Sequence, residues 1–70
     1  MRITYDASAD AAYIYLVGAI EPGASVRQNT TEPLGRILDF DAQNKLLGIE
    51  VLGASAILSK ATLSAAERIG

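Results

Sequence analysis

Apolar and polar residues alternate along much of the first 52 positions of the chain. A period of two, interrupted by clusters of turn residues, is typical of β-strands. The pattern predicts five strands: Arg2–Tyr5, Ala11–Val17, Ser25–Thr31, Arg36–Asp41 and Leu46–Leu52. The third is largely polar and is predicted to lie at a sheet edge. Because the connections are short, we expect each strand to pair antiparallel with the next, which gives a β-meander.

The period changes after Leu52. Four apolar residues then recur at helical spacing and would form one stripe, namely Leu58, Ala61, Ala65 and Ile69. Ser55 is a candidate N-cap, and Ser64 with Glu67 matches a capping box, which would divide the helical region 54–69 into two short helices with a break near Ser59–Thr62. We therefore predict a single α+β domain over residues 1–70, a four- to five-stranded antiparallel meander with a C-terminal helical segment packed on one face.

The alternation also assigns side chains to the two faces of the sheet. Those expected to face the helical segment are Ile3, Tyr5, Ile14, Leu16, Val26, Leu38, Phe40, Ile49 and Val51. Tyr13 and Tyr15 fall on the other face. Asp6 is expected to cap the turn that follows the first strand.

The last two strands form the clearest hairpin, but two registers compete for it. A three-residue turn with Asn44 left-handed would pair Phe40 with Leu46, and turn chemistry favours it. A four-residue turn would pair Phe40 with Leu47 and Leu38 with Ile49, and burial of apolar residues favours that register slightly. The choice matters because a slip of one residue moves every side chain of the second arm to the opposite face.

The composition argues against several classes of function but does not identify one. The 70 residues include neither Cys nor His, and the net charge is −2. A core this small is marginal, and without disulfides self-association is the remaining remedy, so we expect a homo-oligomer. The six basic residues are dispersed, which argues against nucleic-acid binding. No signal peptide or membrane-length apolar run is visible, so a cytoplasmic protein without a membrane partner is expected.

Acidic residues are the main candidates for chemistry. Asp39, Asp41 and Glu50 lie at positions one, three and twelve of a calcium-loop pattern, but the sixth position is Asn44 instead of Gly and the flanks are strands. These departures favour a hairpin turn with polar corners over a calcium site. Pairs of carboxylates need a cleft to act as acid and base, and a small sheet under one helix offers little room. Because no His, Cys or phosphate-binding loop is present, we expect no enzyme activity and no cofactor.

The other candidates are aromatic. Tyr13, Tyr15 and Arg27 would form an interface patch if they share the face away from the helix, because tyrosine and arginine are enriched in protein interfaces. Alternatively, the tyrosines only half-cover an open sheet face and keep their hydroxyls in water.

Two stretches of the chain resemble a small bacterial family, domain of unknown function 2283. The first runs Ile3-Thr4-Tyr5-Asp6, Ala9-Asp10-Ala11 and Tyr13-Ile14-Tyr15-Leu16, and the second Leu38-Asp39-Phe40-Asp41, then Leu46-x-Gly48-Ile49-Glu50-Val51-Leu52-x-Ala54-Ser55. The likeness covers about residues 1–58. Asn44 stands where the family's turn commonly carries Gly. The resemblance implies no activity or catalytic residue, but it suggests a small toxin-like partner protein.

Together these observations predict a non-enzymatic protein-interaction module that self-associates or binds a small partner. The alternative is a protein that binds a small ligand or a divalent metal through the hairpin carboxylates Asp39, Asp41 and Glu50.

Overall fold

A computed structural model of the chain describes residues 1–32 and 35–70. Over these residues the chain forms one mixed sheet and two short helices. In chain order the elements are β1 (Arg2–Asp6), β2 (Ala11–Tyr15), β3 (Arg27–Thr30), β4 (Arg36–Phe40), β5 (Leu46–Leu52), α1 (Ala54–Ile57), α2 (Lys60–Ala65) and β6 (Glu67–Ile69). The sequence also predicts a break at Glu32–Gly35, of which Pro33 and Leu34 lie outside the described residues.

The strands follow the order β3-β4-β5-β2-β1-β6 across the sheet. The α+β class is confirmed, but a purely antiparallel meander is wrong in two respects. First, β2 pairs with β5 instead of β3, which places Ala12 opposite Val51 and Ile14 opposite Ile49. This pairing joins apolar strands and leaves the polar β3 at the edge, as predicted. Second, β6 pairs parallel with β1, although the sequence predicts a helix there.

The central hairpin uses both registers that compete in the sequence. Asn44 is left-handed with φ 63°, and Phe40 pairs with Leu46 as the three-residue turn requires. A β-bulge at Leu47 then shifts the register, so that Leu38 pairs with Ile49. Turn chemistry therefore decides the pairing near the turn, and burial decides it in the rest of the hairpin.

The core is thin and lies between the helices and one face of the sheet. Its buried members are Tyr5, Ala12, Val51 and Ala54, packed against Ile14, Ile49, Leu58, Leu63 and Ala66. Two predicted core residues are wrong: Leu16 is 40% and Val26 59% exposed. The reason is that β2 ends before Leu16 and β3 begins after Val26, so the strand alternation does not reach either residue.

The helical stripe is only partly confirmed. Leu58 packs on the core, but Ala61 and Ala65 are exposed, and Ile69 belongs to β6. The helical region breaks at Ser59, whose hydroxyl accepts a hydrogen bond from the Thr62 backbone N–H and starts α2. The break changes the helical phase, so a stripe counted across it does not stay on one face.

Asp10 joins the turn after β1 to the start of α1. Its carboxylate accepts hydrogen bonds from the Tyr5 hydroxyl at 2.7 Å and from the Ser55 N–H and hydroxyl at 3.0 and 2.7 Å. Its carbonyl oxygen accepts from the Ala54 N–H. Ser55 is thus a donor to Asp10, and the N-cap of α1 is Gly53, not Ser55 as predicted. Asp6 caps its turn as predicted, accepting from Ser8 and Ala9.

Neither helix within the described residues has the length and apolar character needed to cross a bilayer.

Candidate functional site

The face of the sheet turned away from the two helices, called here the open face, carries the most organised polar structure. Pairing across the sheet assigns to it Gln28 and Thr30 from β3, Ile37 and Asp39 from β4, Gly48, Glu50 and Leu52 from β5, Ala11, Tyr13 and Tyr15 from β2, Arg2, Thr4 and Asp6 from β1, and Glu67 and Ile69 from β6. The predicted placement of the two tyrosines together on this face is therefore correct.

A buried carboxylate anchors one end of the open face. Asp39 is only 5% exposed. Its Oδ2 accepts a hydrogen bond from the Tyr13 hydroxyl at 2.5 Å, and its Oδ1 accepts from the Ser25 hydroxyl at 3.0 Å and from the Gln28 amide at 2.7 Å. All three donors are neutral. The charge of Asp39 is thus held by directional hydrogen bonds instead of an ion pair.

Tyr13 reaches Asp39 by crossing a strand. Tyr13 belongs to β2 and Asp39 to β4, and β5 lies between them. The ring passes over Gly48, where a Cβ would lie 2.5 Å from Tyr13 Cε1 and 2.8 Å from the Ile14 carbonyl oxygen. Only glycine leaves space for this crossing, which explains why a residue with poor strand propensity stands in the middle of β5.

Contacts of the aromatic rings extend the chain of interacting side chains from Tyr13 to β6 at the other edge of the sheet. The Tyr13 and Tyr15 ring centroids are 4.7 Å apart, and the Arg2 guanidinium lies 4.1 Å from the Tyr15 centroid. Arg2 also approaches Glu67 of β6 at 4.0 Å. A continuous ladder, defined as Gln28, Asp39, Tyr13, Tyr15, Arg2 and Glu67, thus links side chains from β3 to β6.

The Tyr13–Asp39 hydrogen bond fixes where its proton and charge reside. Burial and then the hydrogen bond to Asp39 raise the pKa of Tyr13 well above its usual range. Burial alone would raise the pKa of Asp39, but the hydrogen bonds from Tyr13, Gln28 and Ser25 outweigh it, and the pKa is lowered. At neutral pH Tyr13 therefore stays protonated and Asp39 stays charged.

Arg27 does not join the tyrosines. It pairs with Phe40 on the opposite face, where its guanidinium lies 4.1 Å from the ring centroid, and it donates a hydrogen bond to the Asn44 side chain. The predicted patch requires all three side chains to share one face, but the β3–β4 register places Arg27 opposite Phe40 and therefore on the other face from the tyrosines.

The three hairpin carboxylates do not converge. Asp41 accepts from the Gln43 and Lys45 backbone N–H groups at 2.9 and 2.8 Å within the turn. Asp39 is occupied by its three donors, and Glu50 pairs with Ile37. Within residues 1–32 and 35–70, no group of three or more acidic side chains is placed to hold a metal ion.

Sequence reasoning missed several members of the site: Ser25, Gln28, Gly48, Arg2 and Glu67. For Gly48 a signal existed, because an isolated glycine inside a strand pattern indicates close approach by another group. The others depend on strand order, which the sequence did not reveal.

A family model described as a protein of unknown function, DUF2283, matches residues 2–55. The chain belongs to the DUF2283 family. The match runs from β1 into α1 and includes every ladder residue except Glu67. No curated protein matches the chain significantly, and neither does any solved structure. The DUF2283 region thus contains the open face of five strands, whereas α2 and β6 lie beyond it.

Proposed function

We propose that this DUF2283 chain is a non-catalytic protein-binding module and that the open face is its binding surface. The observation that carries the proposal is the ladder, which holds two tyrosines and an arginine in fixed positions on the face that the helices do not cover. Tyrosine and arginine dominate binding energy in many interfaces. Side chains that are already ordered also lose less entropy on binding.

The dimensions of the face suit a protein partner. The two longest dimensions of the molecule are 34 and 26 Å, so one sheet face offers roughly the 800 Å² per partner that a standard interface buries. The thin core points the same way, because a chain of this size gains stability from association.

Charge favours a basic partner over a second copy. Among the open-face residues, Asp6, Asp39, Glu50 and Glu67 are acidic and only Arg2 is basic. Two such faces packed together would oppose like charges, which costs free energy and slows association. Self-association, expected from chain size, would then use another surface.

The hydrogen bonds also support a role without catalysis. Tyr13 is protonated and its hydroxyl donates to Asp39, and the buried Asp39 carboxylate accepts hydrogen bonds from three protein donors. A general base must come within hydrogen-bonding reach of a substrate proton, whereas Asp39 is 5% exposed and is surrounded by its own three donors.

Affinity capture from host lysate with paired variants tests the proposal. Tyr15→Ala removes a half-buried ring at the centre of the ladder, and we expect it to weaken partner capture at least about tenfold, the cost of losing an interface tyrosine. Light scattering on a sizing column measures the native mass with and without lysate.

Ile57→Ala is the matched control, because Ile57 is an exposed apolar residue on α1 on the helix side. It should capture the same protein as the wild type. If both variants capture the partner equally, the open face is not the binding surface. If the protein forms a homo-oligomer that Tyr15→Ala dissociates and that lysate does not change, the open face binds a second copy and not another protein. Circular dichroism must show both variants folded.

A further inference from the structure

The open face contains a pocket next to the ladder. Its volume is about 280 Å³, and its lining includes Thr4, Asp6, Ala11, Tyr13, Glu50 and Ile69. It exists because the residues on its floor are small and because the Tyr13 ring lies over Gly48 toward Asp39. Carboxylates flank it on two sides, from β1 and from β5.

The hydrogen-bonding groups of this pocket are not saturated. All three hydrogen bonds to Asp6 end on Oδ1, which leaves Oδ2 without a donor among the described residues. The Glu50 carboxylate has neither a hydrogen bond nor an ion pair within the same part of the chain. Hydrogen bonds from Ser8 and Ala9 lower the pKa of Asp6, so that it is charged at neutral pH.

Thr4 provides an independent indication of a ligand. It is a polar residue only 4% exposed, it lines the pocket, and its hydroxyl has no hydrogen-bond partner in residues 1–32 and 35–70. Among the described residues no fully buried side-chain N or O atom lacks a partner, so the Thr4 hydroxyl is not sealed off, and a partner can reach it through the pocket that Thr4 lines. A ligand in the pocket would supply one, since Thr4 can accept from a cationic N–H.

We propose that this pocket receives a lysine or arginine side chain of the partner protein. The inference rests on the proposed function and names the chemistry of the partner. Ala11 and Ile69 would contact the aliphatic stem, and the Tyr13 ring would favour a nearby cation. Asp6, Glu50 and Thr4 would accept hydrogen bonds from the charged head group.

Amide chemical-shift titration with capped single residues tests this inference without the partner. The probes are N-acetyl-arginine methylamide and N-acetyl-lysine methylamide, with N-acetyl-norleucine methylamide as the uncharged match. We expect saturable shifts at Thr4, Ala11 and Glu50 with the cationic probes only. Raising the salt concentration should weaken them, because part of the attraction is electrostatic.

Glu50→Gln should weaken cationic-probe binding about fivefold, a typical effect of losing one partly exposed charge. Glu21→Gln, in an exposed turn outside the pocket, should leave the probe affinity unchanged. Shifts spread over the whole surface, or equal binding by Glu50→Gln and wild type, would overturn the inference. Tighter binding of free n-butylammonium than of either capped residue would also overturn it, in favour of a small free amine.

The two proposals fail separately. If Tyr15→Ala loses the partner while Glu50→Gln binds the probes like wild type, the open face is the binding surface but the pocket is not its cation site. If the probes bind as expected and Tyr15→Ala retains the partner, the pocket stands and the proposed function fails.

Discussion

Different interactions stabilise the side chains on the two faces of the sheet. On the helix side, small apolar residues such as Ala12, Val51 and Ala54 are buried, and the stabilisation is non-directional. On the open face, one buried carboxylate, two tyrosines and an arginine are held by hydrogen bonds and ring contacts. The comparison teaches that a small sheet can fix side chains on a face that no helix covers, which is what a binding surface requires.

The largest expected loss of stability comes from placing a side chain at Gly48, where the Tyr13 ring crosses β5. Gly48→Ala places a Cβ 2.5 Å from Tyr13 Cε1 and 2.8 Å from a backbone oxygen. The ring can move but the backbone cannot move freely, so we expect unfolding free energy to fall by about 2–3 kcal/mol, in the range of overpacking substitutions. Urea denaturation measures the change.

Gly18→Ala is its control, because a Cβ at Gly18 meets nothing within 4 Å and φ there is not left-handed. It should change stability by less than about 0.5 kcal/mol. If the two alanine variants are equally stable, the crossing of Tyr13 over β5 is not a constraint on the open face.

The next largest loss of stability is expected from removing the hydrogen bond between Tyr13 and Asp39. Asp39→Ala leaves Tyr13 without its acceptor and should cost about 2 kcal/mol, as for a hydrogen bond to a charged group. Tyr13→Phe removes the hydroxyl alone and should cost about 1 kcal/mol. A double-mutant cycle measured by chemical denaturation should show coupling between them, and strictly additive losses would contradict the Tyr13–Asp39 hydrogen bond.

The smallest expected effect is a dependence of the unfolding free energy on pH, to which groups on both faces contribute. The pKa of Asp39 is lowered by folding, so its contribution is complete above the unfolded value near 3.9 and is lost as the pH falls through the folded value. The pKa of Tyr13 is raised, so its contribution is complete below about pH 10 and is lost as the pH rises beyond it. Stability should therefore be flat around neutrality and decline at both ends.

Tyrosine variants assign the alkaline decline to a face. The pKa of Tyr5 is also raised, mainly by its hydrogen bond to Asp10, on the helix side. Tyr13→Phe should reduce the decline in unfolding free energy above pH 10 and retain the part due to Tyr5, whereas Tyr5→Phe should do the reverse. An alkaline decline in Tyr13→Phe as steep as in the wild type would show that the open face does not contribute to it.

The sequence predicts local structure in this molecule better than it predicts strand order. Five strands, the polar edge strand and the Asp6 cap follow from periodicity and capping chemistry. The pairing of β2 with β5 does not, because burial of Ile14 against Ile49 decides it and no local pattern records that contact. β6 was missed because Leu58, Ala61, Ala65 and Ile69 continue a helical spacing across a break at Ser59.

The same limit applies to the candidate site. Tyr13 and Tyr15 share a face through alternation alone, and this was predicted. Asp39 joins them only after strand order places β5 between β2 and β4, and Arg27 leaves them for the same kind of reason. Residues within one strand can thus be grouped from sequence, whereas residues from different strands require the topology.

The bulge at Leu47 has a consequence for insertions and deletions in the hairpin. Eight residues separate Asp39 from its partner Gly48. A three-residue turn with a bulge and a four-residue turn without one use the same number, so the two are interchangeable. Related chains could exchange one for the other without exposing the core, and loss of the bulged residue would leave a regular hairpin with a three-residue turn in which Leu38 still pairs with Ile49. The bulge therefore lets the hairpin lose one residue and still keep the same side chains on each face of the sheet.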